Sequence, residues 1–236
     1  MHIDKLVGFK GNEYTAFGSA LHTVCEKKLL GGSFNADDAF VLSFIEEIKS
    51  LKQKEVELNP SLIKQMKGQG HDIIPEIDPA VREYFGSFKV IDTEERLYEP
   101  ISFFKDEEFK FKGFIDLIVQ TDDGKYHIVD WKTCSWGWNR DRRSDRMTTY
   151  QLTLYKYFFA LKHNIDPENI ETHFALLKRT AKKDRVEIFR VTSGPKKTEN
   201  ALELLKKALY NINKKRYIKN RLACNNCEFY QTDHCR

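Results

Sequence analysis

The spacing of hydrophobic and polar residues predicts that the first third of the chain, about residues 1–88, is helical. Apolar residues recur there every three to four positions, between residues that cap helices and glycines that end them. Four helices are predicted: one from Tyr14 to Gly31-Gly32, one after the capping residue Asn35, and two short ones over 60–67 and 79–87, each starting at an Asn-Pro or Asp-Pro pair.

Beyond residue 88 the pattern changes to the two-residue alternation of strands, with many β-branched and aromatic residues. Asp122-Asp123-Gly124 separates two such segments and predicts a tight hairpin. The predicted elements are strands in KVIDTEERLYEPI, FKFKGFIDLIVQT and KYHIVDWKT, a helix over 144–163, a hairpin of ETHFALLKRT with DRVEIFRVT, and a helix over 198–220. This order predicts an α/β fold with a central mixed sheet flanked by helices, as one domain over 1–221 whose sheet core covers 89–221.

The composition is that of a folded domain: 41% of the 236 residues are hydrophobic. No apolar run is long enough to cross a membrane, and the N-terminus lacks the apolar stretch of a signal peptide. The sequence therefore predicts an intracellular, cytoplasmic protein without a membrane partner. The net charge of +4 is unevenly distributed, because the first 130 residues are net acidic and the rest are net basic. The basic part indicates a surface that faces a polyanion.

Two aspartates and a lysine stand in the apolar strands around the predicted hairpin: Asp116, Asp130 and Lys132. Alternation puts Asp130 and Lys132 on one face of their strand, and the hairpin brings Asp116 close to the level of Asp130. Buried carboxylates repel each other unless a cation compensates them, and a hard divalent ion with oxygen ligands, including the carbonyl of Trp131, suits this role. Lys132 would then orient or help deprotonate a water, which predicts phosphodiester hydrolysis. The alternative is a salt-bridged pair on a solvated sheet face.

Asp116 followed by Asp130-Trp131-Lys132 resembles the core motif of the PD-(D/E)XK nuclease superfamily, with Ile115 in place of the usual proline. Two further stretches resemble RecB-like members of that superfamily. FGSALHTVCE has Gly18, His22 and Glu26 in the order of their helical motif, and TYQLTLYKYFFA has Gln151 and Tyr155 in the order of their QxxxY motif. Residues four apart share a helix face, so each pair can present its polar groups to one cleft.

The resemblance implies a restriction-endonuclease-like core and Mg²⁺- or Mn²⁺-dependent cleavage of DNA. It implies these roles: Asp116, Asp130, Lys132 and His22 as catalytic residues; Asp116, Asp130, His22 and the Trp131 carbonyl as metal ligands, with Glu26 and Glu95 as weaker candidates; and Gln151 and Tyr155 as nucleic-acid contacts. For Glu95, the neighbouring Glu94 and Glu99 compete. Taken singly, His22 is also compatible with a structural histidine and Glu26 with a solvated helix residue. Gln151 and Tyr155 are also compatible with a surface pair.

Among superfamily members, the chain most resembles RecB-like exonucleases of the AddB, CRISPR-adaptation and phage recombination kinds. This implies single-stranded DNA or duplex ends as substrates, recombination or replication proteins as partners, and a bacterial or phage-infected cell as the setting. A DNA-binding accessory module that no longer cuts is the alternative from another functional class, and an adaptor that recruits partners through its metal-binding tail is a third.

The C-terminal segment 222–236 contains Cys224, Cys227 and Cys235, which indicates a metal-binding tail packed on the core. Iron–sulfur members of the resembled family carry three cluster ligands at this place, and a [4Fe-4S] cluster takes four thiolates. Their fourth cysteine lies before the motif histidine, but no cysteine precedes His22, as if the chain began after that ligand. Two completions stay open: Cys25 as the fourth cluster ligand, or Zn²⁺ with His234 as the fourth ligand.

SWGWNRDRRSDR, directly after the Lys132 strand, combines aromatic and guanidinium side chains and is typical of a surface that stacks bases and pairs with phosphates. The candidate nucleic-acid contacts in it are Trp136, Trp138, Arg140, Arg142, Arg143 and Arg146. The alternative is a charged loop in which arginines pair with Asp141 and Asp145 and the tryptophans pack on the core.

Overall fold

The computed structural model describes residues 8–31, 33–103, 109–216, 221–227, 229–233 and 235. Within them, five strands form one sheet in the order β1-β2-β3-β4-β5. The strands are β1 Phe88–Ile101, β2 Phe109–Thr121, β3 Tyr126–Cys134, β4 Ile170–Lys178 and β5 Val186–Val191. All neighbours are antiparallel except β3 and β4, which are parallel. The predicted α/β fold with a mixed sheet flanked by helices is confirmed.

Four helices cover the first part of the chain: α1 Glu13–Leu29, α2 Ala36–Gln53, α3 Pro60–Ile73 and α4 Ile77–Phe85. The predicted cap of α2 is confirmed, since the Asn35 side chain accepts hydrogen bonds from two backbone amides of the first turn. α3 is longer than predicted. The predicted start of α4 at Pro79 is wrong, because a 3-10 turn over Ile74–Glu76 runs into α4 and leaves Pro79 inside its first turn, where proline is tolerated.

The hairpin between β2 and β3 is confirmed at the predicted position. Gly124 has a φ of +81°, a conformation that glycine adopts without steric cost. Its amide donates to the carbonyl of Thr121 at 2.9 Å. The parallel pairing of β3 with β4 needs a crossover, which is made by α5 Arg140–Ser144 and α6 Arg146–His163.

Each face of the sheet packs on its own hydrophobic cluster. One cluster joins α1–α4 to side chains such as Val129 and Trp131, and the other joins α6 and α7 Pro195–Asn213 to side chains such as Ile128 and Phe174. The predicted alternation along β3 is thereby confirmed. The predicted end of the last helix at residue 220 is wrong, because α7 ends at Asn213 and Lys215 takes a φ of +52°.

No helix in the described part of the chain is long and apolar enough to cross a membrane.

Candidate active site

The candidate site lies where β2 and β3 separate. Their pairing runs from Gln120 opposite Tyr126 to Leu117 opposite Val129 and ends there. One further pair in this register would set Asp116 opposite Asp130. The backbone ladder is replaced at this point by a side chain, since Asp116 Oδ2 accepts a hydrogen bond from the Trp131 amide at 2.7 Å. The two aspartates therefore face each other across the opening between the strands.

Lys132 reaches Asp130 from two residues along β3. Its Nζ lies 2.6 Å from Asp130 Oδ2 and 5.9 Å from the centre of the Phe174 ring. Asp130 is only 2% exposed. No hydrogen bond of regular geometry reaches Oδ2 from the described residues, and the Lys132 ammonium is the cation that compensates this buried oxygen. Such an oxygen is costly in a protein interior unless a cation or a further donor compensates it.

Helix α1 brings three residues of one face to this opening. At Gly18 the helix passes close to β3, where a Cβ would lie 3.3 Å from Thr133 Oγ1. One turn later, His22 Nδ1 lies 3.7 Å from Asp116 Oδ1. Another turn on, the Glu26 carboxyl lies near Glu94, whose charge helps to raise the pKa of Glu26. The helical spacing of Gly18, His22 and Glu26 along α1 thus places His22 and Glu26 beside Asp116.

The structure separates Glu94 from Glu95. Glu95 is buried against α6, where Oε1 lies 2.5 Å from Lys162 Nζ and 2.9 Å from His163 Nε2. Burial alone would raise the pKa of Glu95, but hydrogen bonds from Asp92, Lys162 and His163 lower it to about 2. Glu95 is therefore committed to ion pairs, and Glu94, at a φ of +56°, is the acidic residue of β1 at the site.

The electrostatics of the opening disfavour free carboxylates. Burial raises the pKa of both Asp116 and Asp130 to about 6, against the opposing effect of the Lys132 ammonium. Burial and the nearby Glu94 raise the pKa of Glu26 to about 7. A pair of carboxyl groups in this state gains from a bound cation, which favours their ionised forms.

The residues present fit a hard divalent metal ion. Asp116 and Asp130 offer carboxylate oxygens, and His22 offers a ring nitrogen. Burial lowers the pKa of His22, so the ring is neutral and able to ligate. The three side-chain ligand atoms do not all lie within 4.8 Å of one another, so a bound ion would draw them closer together.

Helix α6 places a tyrosine near the carboxylates. Gln151 Nε2 donates to the Tyr155 hydroxyl at 3.0 Å. The Tyr155 ring lies directly over β2, because a Cβ on Gly113 would come within 2.6 Å of it. Burial raises the pKa of the Tyr155 hydroxyl, and the charges of Asp130 and Asp116 act in the same direction. The hydroxyl thus remains a neutral hydrogen-bonding group beside the site.

The two tryptophans after β3 have different environments. Trp136 is 71% exposed, whereas Trp138 is 6% exposed and packs on the Phe174 ring, with the ring centres 5.0 Å apart. Gly137, at a φ of +127°, turns the chain between them. Only Trp136 has a face available to a base.

The four candidate arginines also separate into two groups. Arg143 Nε donates to the Trp138 carbonyl, and its guanidinium forms an ion pair with Glu187, so it holds the loop to β5. The other three, Arg140, Arg142 and Arg146, are exposed. Arg142 lines a cavity of about 410 Å³ together with Trp136, Tyr14 and Arg179, among other residues.

The cysteines of the C-terminal segment are free thiols, as are Cys25 and Cys134. Cys224 and Cys227 are half-buried and Cys235 is exposed, and the three sulfur atoms do not gather within 4.8 Å of one another. Cys25 is buried in the core on α1, where burial raises the pKa of its thiol well above the usual value. His234 lies outside the described residues.

Comparisons with known proteins bear on the family and the fold of the chain. The family model of the PD-(D/E)XK nuclease superfamily matches residues 2–232. The fold is similar to that of a putative exonuclease from Eubacterium rectale, with 15% identity, a TM-score of 0.61, and coverage of 100% of this chain and 79% of that chain. The structure of SSO0001 is 14% identical over 97% of this chain and 87% of that chain, but its TM-score of 0.42 is below the level that indicates a shared fold. No curated protein matches the sequence significantly.

Proposed function

Because the chain belongs to the PD-(D/E)XK nuclease superfamily, we propose that it is a Mg²⁺- or Mn²⁺-dependent deoxyribonuclease that degrades DNA from an end, preferably as a single strand. The observation that carries this proposal is the meeting of Asp116, Asp130 and Lys132 at the opening between β2 and β3. Two carboxylates next to an ammonium group, in a partly dry cleft, are suited to hydrolysing a phosphodiester.

Asp116, Asp130 and His22 would hold the metal ion, with the Trp131 carbonyl as a further ligand. When bound, the ion supplies a polarised phosphate and a water of lowered pKa. Glu26 lies near both Asp116 and Glu94, so Glu26 and Glu94 are candidates for orienting water in the cleft. Glu95 is left out of the proposed site because its carboxylate is held by Lys162 and His163.

The chain's other residues have separate tasks. The Lys132 ammonium lies 2.6 Å from Asp130 and would orient the attacking water and stabilise the negative charge that develops on the phosphate. Tyr155, held by Gln151, would donate a hydrogen bond to the strand beside the scissile group. Trp136 and the exposed arginines of α5 and α6 would bind the strand outside the cleft through stacking and phosphate contacts.

The proposal of an exonuclease related to RecB-like and AddB-like enzymes is supported by α1 and α6. His22 lies next to Asp116, and Gln151 is hydrogen-bonded to Tyr155, as the motif order of those families implies. On this proposal the protein acts in DNA recombination, repair or replication inside a bacterial or phage-infected cell, with proteins of those pathways as partners.

For the C-terminal segment we propose a structural metal, either a [4Fe-4S] cluster or Zn²⁺, held by Cys224, Cys227 and Cys235. Three cysteines within twelve residues support this. Metal analysis and the absorption spectrum of protein purified without oxygen distinguish the two, because an iron–sulfur cluster is brown and zinc is colourless. A chain with neither metal would contradict the proposal.

The proposed function is tested by digestion of DNA labelled at the 5′ or the 3′ end. The full chain is incubated with single-stranded, blunt duplex and closed circular DNA, with Mg²⁺, with Mn²⁺ or with EDTA. We expect labelled mononucleotides or short fragments from linear single strands, no cutting of circles, and no product in EDTA.

The Lys132→Ala variant is expected to lose at least a hundredfold in rate, since one preorganised group that stabilises the transition state contributes about 2.7–4 kcal/mol. Lys49→Ala, which removes an exposed lysine of α2, is the matched control and should cut like the original chain. DNA binding without cleavage under every metal condition would favour the accessory module instead.

A further inference from the structure

A second group of metal-binding side chains lies at the other end of β3. His127, Glu171 and His173 are the only three His, Cys, Asp or Glu side chains in the described part of the chain whose ligand atoms all lie within 4.8 Å of one another. His127 pairs with Glu171 across the parallel β3–β4 ladder, and Val129 pairs with His173. All three ligands therefore project from the same face of the sheet. His127 is three residues from Asp130, or about 10 Å along the strand, so this group is separate from the candidate active site.

The two imidazoles are arranged as a pair of metal ligands would be. His127 Nδ1 and His173 Nε2 face each other at 3.1 Å. Two nitrogen ligands of a tetrahedral zinc ion, each about 2.0–2.1 Å from the metal, are about 3.3 Å apart. Small movements of the rings would thus admit the ion between the two nitrogens.

The opposite nitrogen of each ring already has a partner. Thr121 Oγ1 lies 3.0 Å from His127 Nε2, and the Tyr84 hydroxyl lies 3.3 Å from His173 Nδ1. Histidines that bind metals use the second nitrogen in this way, because that hydrogen bond fixes the tautomer and the ring orientation. Phe85 adds an apolar wall, with its ring centre 5.0 Å and 5.1 Å from those of His127 and His173.

Glu171 completes the group with a carboxylate whose charge is held in place. Lys125 Nζ and an Arg190 nitrogen approach the same oxygen, Oε1, at 3.4 Å and 3.2 Å. No described residue donates a hydrogen bond to Oε2, which leaves one oxygen for a metal. The two cations hold this carboxylate in place, as outer-shell partners do for carboxylate ligands.

The cavity next to the group has room for a fourth ligand. Its volume is about 530 Å³, and Ser87, Lys125 and Arg190 are among its lining residues. Two histidines and one carboxylate, with one open position, bind Zn²⁺ in preference to Mg²⁺. Lys125 and Arg190 line the cavity together with Asp122 and Asp123, so the open position is suited to water or hydroxide as the fourth ligand.

We propose that His127, Glu171 and His173 form a zinc site that joins β3 to β4, with Thr121 and Tyr84 positioning the two histidines. This site does not depend on the proposed nuclease function. Its ligands differ from those of the candidate active site and from the cysteines of the C-terminal segment.

Zinc binding to the full chain tests the proposal. Metal-free protein is titrated with Zn²⁺ at pH 7.5 against a chromophoric chelator, in the presence of 10 mM Mg²⁺ to occupy the carboxylates of the active site. We expect one equivalent to depend on this group, with its affinity reduced at least tenfold in Glu171→Gln and in His127→Gln, while zinc held by the C-terminal cysteines is bound equally by these variants and the original chain. Tyr84→Phe, a change of a part-exposed residue that keeps the fold, should lower it 10- to 100-fold through the lost hydrogen bond to His173.

Asp122→Asn is the matched control, since Asp122 lines the same cavity but is not a ligand, and its zinc affinity should not change. With Co²⁺ in place of Zn²⁺, the difference spectrum between the original chain and Glu171→Gln should show the visible absorption of a tetrahedral site without a thiolate band, which separates this site from the cysteines. The proposal would be overturned if the zinc affinity did not change in Glu171→Gln, His127→Gln and Tyr84→Phe. His127 and His173 would then be only a hydrogen-bonded pair. A thiolate band as the only cobalt signal would also overturn the proposal.

Discussion

Replacing Asp130 by asparagine should stabilise the metal-free protein at alkaline pH. Burial raises the pKa of this carboxyl from 3.8 to about 6. At pH 5 the folded state therefore still binds a proton that the unfolded state has lost, and this bound proton stabilises the folded state. The stabilisation disappears as the pH rises through 6. For these two pKa values, the loss between pH 5 and pH 8 is on the order of 1 kcal/mol.

Asparagine at position 130 has no proton to lose. The free energy of unfolding of Asp130→Asn relative to the original chain should therefore grow by on the order of 1 kcal/mol from pH 5 to pH 8. Comparing the two pH values cancels any cost of the amide that does not depend on pH. The assay is urea unfolding in EDTA, followed by circular dichroism, with the free energy of unfolding extrapolated to water at each pH.

Added Mg²⁺ gives a second test. An ion at ten times its dissociation constant stabilises the original chain by about 1.4 kcal/mol and should not stabilise Asp130→Asn. Asp184→Asn, at an exposed turn position with a φ of +51°, is the control and should show neither effect. An advantage of Asp130→Asn that is equal at both pH values, or larger at pH 5, would refute the reasoning about the buried carboxyl.

Three other changes have defined outcomes. Gly70→Ala should lower the free energy of unfolding by about 1–3 kcal/mol, because its Cβ would lie 2.2 Å from the Phe40 ring. Gly68→Ala, whose Cβ would meet open space, should raise the free energy of unfolding by up to about 1 kcal/mol in the same urea assay. Trp136→Ala in a Lys132→Ala background should weaken single-stranded DNA binding by about 1–3 kcal/mol in fluorescence anisotropy, and unchanged binding would remove this ring from the DNA surface. Glu26→Gln should stabilise the metal-free protein more at pH 8 than at pH 5, because the carboxyl has a pKa of about 7 in the folded state and loses its proton between those values; equal stabilisation would contradict that pKa.

Local signals in the sequence were sufficient to predict most of the fold. The cap at Asn35 and the turn at Gly124 follow from side-chain hydrogen bonding and from the backbone freedom of glycine, which act over four residues or fewer. The alternation that separates Val129 from Ile128 follows from strand geometry. The start of α4 could not be predicted in this way, because the preceding 3-10 turn makes Pro79 an internal residue.

The candidate site could be predicted only in part. Asp116, Asp130 and Lys132 belong to one hairpin, so register alone brings them together. Glu94 and Glu95 could not be distinguished, because the register of β1 shifts between Val90 and Asp92, and such a bulge changes which face later side chains occupy.

Long-range pairing and loop geometry were not visible in the sequence either. His127 and His173 meet through the parallel pairing of two strands that are distant along the chain, and no motif spacing indicates this. Similarly, only the turn at Gly137 determines which of the two nearby tryptophans is buried.

The hydrogen bond from the Trp131 amide to Asp116 gives this aspartate a structural role, because its side chain replaces the backbone pairing where the two strands separate. Truncating Asp116 to alanine would leave the buried Trp131 amide without an acceptor, at a cost of about 1–3 kcal/mol. A loss of cleavage in such a variant would therefore mix damaged architecture with missing chemistry. An inactive form that still binds DNA, for trapping substrates or partners, is better made by replacing Lys132. That change keeps the hydrogen bond between the Trp131 amide and Asp116.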